Sequence, residues 1–496
     1  MTEPIIDVLV IGAGGAGLTA AVSAAQAGAR VVVVEKTDYL GGPYRINPGS
    51  IGTFAVESWM QQTRHLGPSL AEAYRILMEH SRWRADGRVV SALLRNSAST
   101  VTWFNELGIT FDHVIAYYNG AQPVWHIRDT PHDPVIADVL ERHARALGVE
   151  FLLNTRALRL ITREGVVRGA ELEDADGPQT LLARSTVLAT GGYQGNPDLI
   201  ERYTGLRQGH DLFTFEMFTH PQHQGEGLQM AWDAGAGTSP TMLETYIYLP
   251  DPFGGPGGTM PELSAFRQAG LLVNDNGLRF VDESVMRNPA DAANAVRCQP
   301  GSHAYMLLSD RVDRQLREQG LDFQLFGMHH APGSLAPLAK QVQSAVDSGY
   351  RFLFRADTLG ELAAQTGMPA DQLQATVAEY DGACARGVDE GFFKEGRYLR
   401  PLGPDGPYYA AKFCLGSYGS AGGVATDEYG RALDERRRPV PGLYVIGRDA
   451  AHVFGDTYPF VFAGLIQGLS HTIGRITGGH AALVVNRGTP DRGGER

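Results

Sequence analysis

Near the start of the chain an apolar run, Ile5–Ile11, leads into Gly12-Ala13-Gly14-Gly15-Ala16-Gly17. A small-residue stretch, Leu18–Ala27, follows, and a second apolar run, Arg30–Val34, ends at Glu35. Strand, Gly-x-Gly-x-x-Gly turn, helix and strand make one βαβ unit, which commits this part of the chain to a parallel sheet. Gly12 permits the tight turn, Gly14 lets the backbone approach a pyrophosphate, and Gly17 allows close helix–strand packing. Gly15 and Ala16 complete the turn, and the helix N-terminus beyond it presents unpaired N–H groups to an anion. Glu35 is placed to accept hydrogen bonds from two ribose hydroxyls. Lys36 reads either as a neighbour of the adenosine or as a solvated lysine.

No charge occurs from Val8 to Gly28, a length that raises the question of a membrane span or signal peptide. The acidic flank of Glu3 and Asp7 and the embedded glycines argue for a buried strand and helix instead. No other stretch approaches ~20 apolar residues, so a soluble protein without a membrane span is expected. Forty-three Lys+Arg against 55 Asp+Glu leave a net charge of −12, which repels a phosphate backbone and argues against nucleic-acid binding. Three cysteines, Cys298, Cys384 and Cys414, are too few for a disulfide framework, and a reducing, cytoplasmic location is expected.

Further strand-like stretches lie at Glu150–Leu153, Thr186–Ala189 and Gly442–Ile446, so the sheet gathers distant parts of the chain. Between them, Thr241–Gly258 is rich in Pro, Gly and aromatics, and Ser309–Gly320, Leu335–Ser348 and Ala370–Arg386 have helical apolar spacing. The fold class expected is α/β: a Rossmann-like dinucleotide-binding domain made of 1–242 and 419–496, with an inserted α+β capping domain over 243–418 that meets the substrate. Residues 487–496 read as a disordered tail.

Val8–Gly17 with Glu35-Lys36 and Gly41-Gly42, Val187-Leu-Ala-Thr-Gly-Gly192, Gly270-Leu-Leu-Val-Asn274, Gly277-Leu-Arg-Phe-Val-Asp-Glu283 and Pro441-Gly-Leu-Tyr-Val-Ile-Gly447 occur in this order. Together they resemble the FAD flavoprotein family of fumarate reductase, succinate dehydrogenase and 3-ketosteroid dehydrogenases, over nearly the whole chain. The resemblance implies FAD as cofactor, its ADP half on the first segment, and Ala189, Thr190 and Gly191 closing over it. It implies a backbone contact of Ala157 with adenine. It also implies a final helix beginning at Gly464, Leu465 and Ile466 whose N-terminus faces the flavin N1–C2=O2 edge, where the reduced ring gathers negative charge. Pro43, Tyr44 and Arg45 replace the family's small polar residues after Gly41-Gly42. Gly447-Arg448-Asp449 stands where a Gly-Glu or Gly-Asn pair is common, and Asp449 is a candidate for the ribityl contact.

By the same resemblance Arg287, four residues after Glu283, occupies the place of the fumarate reductase proton donor. Glu262 and Arg267 lie upstream, about where that family keeps a proton relay, at a different spacing. The alternative is that Arg287 is a structural or surface ion-pair residue. The dicarboxylate clamp is absent. Tyr246-Ile247-Tyr248 stands near its first His, Gly419-Ser420-Ala421-Gly422-Gly423 replaces its second, and Phe460-Val461-Phe462 stands near its Arg. Burying unpaired carboxylates against such walls is costly. Gly416–Gly423 and Thr457-Tyr458-Pro459 are instead similar to the ketosteroid dehydrogenases, in which a Tyr and a Gly four residues on polarise a ketone. Here Tyr458 is followed by Phe462. Tyr117-Tyr118 is similar to another tyrosine region of that branch, or is packing, and Tyr248 is a further candidate for the proton. Tyr118, Trp125, Tyr246, Tyr248, Phe253, Tyr458, Phe460 and Phe462 are candidates to line a pocket for a ring, or are ordinary core. His220-x-x-His223 has metal spacing but no third ligand, and no metal is expected.

The reading that follows is an FAD-dependent oxidoreductase acting on a CH–CH bond. Hydride passes between flavin N5 and the activated C=C of an apolar or ring-bearing carbonyl compound, with an external electron donor or acceptor. The alternatives are desaturation of a ketone, as in the ketosteroid dehydrogenases, and a non-catalytic protein of the same fold.

Overall fold

The computed structural model describes residues 6–42, 45, 52–128, 135–214, 222–250, 261–324 and 330–486. Its frame is an eight-stranded sheet. Along that sheet the order is Arg431–Leu433, Pro439–Val445, Gly177–Leu188, Ile6–Ile11, Val31–Val34 and Glu150–Leu152. Two further strands, Arg156–Arg163 and Val166–Asp174, extend antiparallel from Gly177–Leu188. The inner five strands are parallel, and their carboxyl ends come level: Ile11 pairs with Val34 and Leu188, Val34 with Leu152, and Leu188 with Val445. A parallel sheet must be covered on both faces, which is why Val31–Val34 reads as an unbroken apolar run and is buried throughout.

The strand and helix expectations hold with shifted ends. The first helix spans Gly15–Gln26, so it begins inside the glycine turn and places its free N–H groups directly on the strand ends. Thr186–Ala189 is the end of the longer strand Gly177–Leu188, and Gly442–Ile446 lies within Pro439–Val445 and the residue beyond it. The three expected middle helices run over Asp310–Gln319, Leu338–Asp347 and Ala370–Arg386.

A second sheet of six strands is organised by one long strand, Tyr408–Val424. It pairs with Leu212–Thr214, Thr238–Tyr248, Ala304–Ser309 and Leu353–Ala356, while Leu271–Val273 extends the sheet from Ala304–Ser309. The positions 242/243 and 418/419 fall inside two strands that pair with each other, Met242 opposite Ala421. A three-stranded sheet of Gly52–Phe54, Trp125–Ile127 and His113–Ile115 lies against the last helix, Leu465–Asn486, through Phe54. The last helix also packs on the first. Gly474 and Gly478 allow this, since a Cβ on them would stand 2.7 Å from Ala16 O and 2.1 Å from Ala20 O.

Candidate active site

The level carboxyl ends of the parallel strands leave a cleft, the usual position for a ligand in such a sheet. It is lined by Gly12, Gly14, Gly15 and Ala16 from the first turn, by Glu35 and Lys36, by Ala157, and by Ala189, Thr190 and Gly191. Gly12 has φ +99°, and a Cβ there would meet Ala189 O at 2.4 Å. Gly17 does not line the cleft; its missing Cβ would lie 2.0 Å from Gly12 O, so it sets the helix against the turn. Gly14 has open space in front of it, the approach a pyrophosphate needs.

At one end, the Glu35 carboxylate accepts hydrogen bonds from Ala13 N at 2.9 Å and from Thr37 N and the Thr37 hydroxyl at 3.0 Å, tying the turn to the second strand. Lys36 is not simply solvated. Its ammonium pairs with Glu226 and donates to Gln222 O, and Arg156 pairs with the same carboxylate at 2.8 Å. Gly42 lines the cleft, whereas Gly41 is packed on Ala137 and donates to Ala13 O at 2.8 Å. Pro43 and Tyr44 lie outside the described residues. Arg45 pairs with Asp138 and Glu141, at 2.8 and 2.6 Å.

At the other end stand Gly447, Arg448, Ile466, Gln467 and Ser470. Asp449 is not among the lining residues. Fully buried, it accepts hydrogen bonds from Thr190 N and Oγ1 at 2.8 Å, Gly192 N at 2.9 Å and Gly191 N at 3.3 Å, and so clamps the loop instead of pointing into the cleft. Burial raises its carboxyl pKa, and these four donors oppose the rise. Arg448 enters the cleft and pairs with Glu244, a buried carboxyl that burial pushes up and the guanidinium pulls down. Gly419 leaves room for that guanidinium, since a Cβ would lie 2.7 Å from its Cζ.

The last helix starts beside this end. Gly464, with φ +74°, receives the Trp125 indole, Leu465 is buried behind it, and Ile466 N is hydrogen-bonded to the Tyr458 hydroxyl at 3.3 Å. Two buried polar atoms here, Trp125 Nε1 and Gln467 Oε1, find no hydrogen-bond partner among the described residues. One is a donor and one an acceptor, next to a helix N-terminus. Of the two, Gln467 lines the cleft and fits the heteroatom edge of a flavin, while the open Gly14 turn and Glu35 fit the rest of FAD.

The candidate reacting residues fall into two groups. Arg267, Tyr248 and Tyr458 belong to a buried aromatic array. In it Tyr246 stacks on Tyr418 at 4.1 Å between centroids, Tyr248 meets Tyr246 edge-on at 5.7 Å, and Phe460 lies 4.8 Å from Tyr117 and 5.0 Å from Tyr458. Burial raises the phenols of Tyr117, Tyr246, Tyr418 and Tyr458, that of Tyr418 to about 12, and Arg267 opposes the first three. Phe462 faces Phe54 at 5.6 Å. Arg287 and Tyr118 form the second group. Arg287 is exposed at the end of the short helix Glu283–Arg287, and the half-buried Tyr118 hydroxyl interacts with Asn288 and feels both Arg287 and Asp291. Phe253, His220 and the side chain of Glu262 lie outside the described residues.

Sequence reasoning missed what anchors the helix that carries Arg287. Arg279 donates two 2.9 Å hydrogen bonds to Glu283 and two to Asp389, at 2.8 and 3.3 Å, and Lys394, fully buried, lies 3.1 Å from Glu283. Arg279 and Glu283 stand in a quoted motif, but Asp389 and Lys394 are more than a hundred residues away and carry no local signal.

The family model of the FAD binding domain matches residues 7–460. A vinyl phenol reductase of Lactiplantibacillus plantarum is 32% identical over 487 residues, 96% of this chain and 96% of that protein. A probable fumarate reductase of Shewanella frigidimarina is 30% identical over 459 residues, 90% of this chain and 70% of that one. The solved structure of a 3-ketosteroid dehydrogenase from Rhodococcus jostii shares the fold, with a TM-score of 0.72 over 97% of each chain at 22% identity. The chain belongs to the FAD-binding flavoprotein family of these enzymes and is an FAD-dependent oxidoreductase acting on carbon–carbon double bonds.

Proposed function

We propose that this enzyme works as an ene-reductase on a ring-bearing, weakly charged substrate. The observation that carries the reading is the aromatic array of Tyr117, Tyr246, Tyr418 and Phe460 around Arg267, in place of the several cations that a dicarboxylate requires. The likeness to a vinyl phenol reductase over nearly the full length of both chains supports a substrate in which the double bond is attached to a ring. The cleft residues from Gly12 to Gly191 would hold the ADP half of FAD, and Gly42, Arg448, Ile466 and Gln467 the flavin half. Bound there, FAD supplies two electrons as a hydride. Arg287 is the proposed proton donor, on a turn fixed by the buried Arg279–Glu283–Asp389–Lys394 group, with Tyr118 as its neighbour. Desaturation of a ketone is the less favoured direction, since Phe462 stands where the ketone clamp needs a glycine and is fully buried. Electrons come from an external donor, and the three free cysteines agree with a reducing, cytoplasmic setting.

The test is reoxidation of the photoreduced holoenzyme, without oxygen, by a panel of styrenes, enones and fumarate. Ring-bearing alkenes should reoxidise the flavin faster than fumarate, and fumarate leading the panel would overturn the reading. Arg287→Ala should keep the flavin and its photoreduction while losing about 10²–10⁴-fold in alkene reduction. Unchanged turnover would move the proton to Tyr118.

A further inference from the structure

Among the described residues, Arg448 is the only charged side chain that lines the last-helix end of the cleft; Glu35, Lys36, Arg156 and Glu226 line the other end. Only one of its three guanidinium nitrogens is committed to the protein. Nη1 donates both to the Glu244 carboxylate and to Ser420 O, the latter at 3.1 Å. Nε and Nη2 have no hydrogen-bond partner among the described residues. The group is held from behind: a Cβ on Gly419 would stand 2.6 Å from Nη1 and 3.1 Å from Nε, and Glu244 is 1% exposed and does not line the cleft. A rigid planar fork anchored through one corner keeps its remaining N–H groups for an acceptor in the cleft. The last helix starts at the same end, with Ile466 and Gln467 in the lining, so its N-terminus favours negative charge there too.

We propose that Arg448 contacts the flavin and sets its reduction potential, and that Glu244 is the positioning residue that aims the guanidinium and damps its field. This rests on the placement of the flavin half at this end of the cleft, given above. Two-electron reduction by the external donor adds one proton at the ring N5 and leaves one negative charge shared by N1 and O2. A fixed guanidinium favours that charged reduced ring over the neutral oxidised one, and so raises the potential. Glu244 acts against it, because a carboxylate behind the guanidinium weakens the positive field that the ring meets. The guanidinium prevails because it lines the cleft and the carboxylate does not. The two partners of one ion pair therefore push one measurable quantity in opposite directions. A pair that only braced the fold would not.

The test measures the midpoint potential of the flavin in the holoenzyme by equilibration with a reference dye, without oxygen. Arg448→Met should lower the ratio of reduced to oxidised flavin about tenfold at a fixed dye potential, which is about 30 mV for a two-electron couple. Glu244→Gln should raise that ratio. Arg448→Lys keeps the charge and should stay closer to wild type than Arg448→Met. Arg448→Gln serves if Arg448→Met loses flavin. If Glu244→Gln loses flavin or fold, the double variant Glu244→Gln with Arg448→Met replaces it and should lie below wild type. Shifts of the same sign in Arg448→Met and Glu244→Gln would overturn the proposal, as would an unchanged potential in Arg448→Met. Gln467→Leu separates the proposal from the placement beneath it. A changed flavin spectrum or potential in Gln467→Leu, with none in Arg448→Met, would overturn only the role of Arg448. No change in either would overturn the placement of the flavin as well.

Discussion

Arg448 is visible in the sequence as a departure at a cofactor-facing motif, but its partner is not. Glu244 lies 204 positions away in an ordinary apolar strand, and only the pairing of Thr238–Tyr248 with Tyr408–Val424 brings the two together. Asp449 shows the complementary failure. Its place beside Gly447 suggested a ligand contact, whereas the structure directs its oxygens to the backbone of Thr190–Gly192. A short polar residue in a loop gives no signal of which side it faces. For Glu244 the energetics are decided by which partner is removed. Glu244→Gln leaves a half-buried cation against the cofactor cleft, and breaking a buried pair costs about 3–5 kcal/mol. Removing both charges, as in Glu244→Gln with Arg448→Met, should cost less than the single change. Equilibrium denaturation of the four proteins of this cycle checks it, and strictly additive effects would mean that the pair is not coupled.

The element most legible in the sequence was the opening βαβ unit, because a glycine turn between an apolar run and a small-residue run fits few other structures. Least legible was Tyr408–Val424, whose stretch Gly416–Gly423 lacks the β-branched pattern of a strand and is held by pairing with Thr238–Tyr248 and, at Gly416 and Ser417, with Leu212–Thr214. The last helix lies between these cases: its start was expected at Gly464, but not its contact with the first helix. That contact makes a prediction with a built-in control. Gly→Ala inside a helix gains roughly 0.5–1 kcal/mol from backbone entropy when space allows. At Gly478 a Cβ would lie 2.1 Å from Ala20 O, an overlap with rigid backbone. At Gly479 the nearest atom is Ser23 Oγ at 3.5 Å, an ordinary contact. Overpacking costs about 1–3 kcal/mol, so Gly478→Ala should lower the melting temperature and loosen FAD while Gly479→Ala raises the melting temperature slightly. The same sign of effect at both positions would contradict this packing.

At the scale of the whole molecule, two neutral histidines join the three-stranded sheet to the helices around it. His126 donates from Nδ1 to Val124 O at 3.1 Å, and its Nε2 accepts from the Ser58 hydroxyl at 2.7 Å. His471, in the last helix, lies 3.3 Å from the Thr53 hydroxyl and meets Phe104 edge-on at 4.9 Å. Burial lowers the pKa of His126 from 6.5 to about 4 and that of His471 to about 3. Above pH 6.5 neither state binds these protons, and the folded protein has its full stability. As the pH falls from 6.5 toward 4 the unfolded chain takes up two protons that the folded one refuses. Stability then falls by about 1.4 kcal/mol per pH unit for each histidine. The raised carboxyls of Glu244 and Asp449 act in the opposite sense in the acidic part of this range, because there the folded state binds the proton first. The slope of the wild-type curve is therefore a sum, and a variant is needed to separate it. His126→Gln can keep hydrogen bonds to Val124 and Ser58 but does not titrate. The stability difference between wild type and His126→Gln should shrink by about 1.4 kcal/mol for each pH unit between about 6 and about 4.5, measured by denaturant unfolding of the holoenzyme. Parallel curves over that range would show that His126 is protonated in the folded protein, and that the sheet is open to water where the structure closes it.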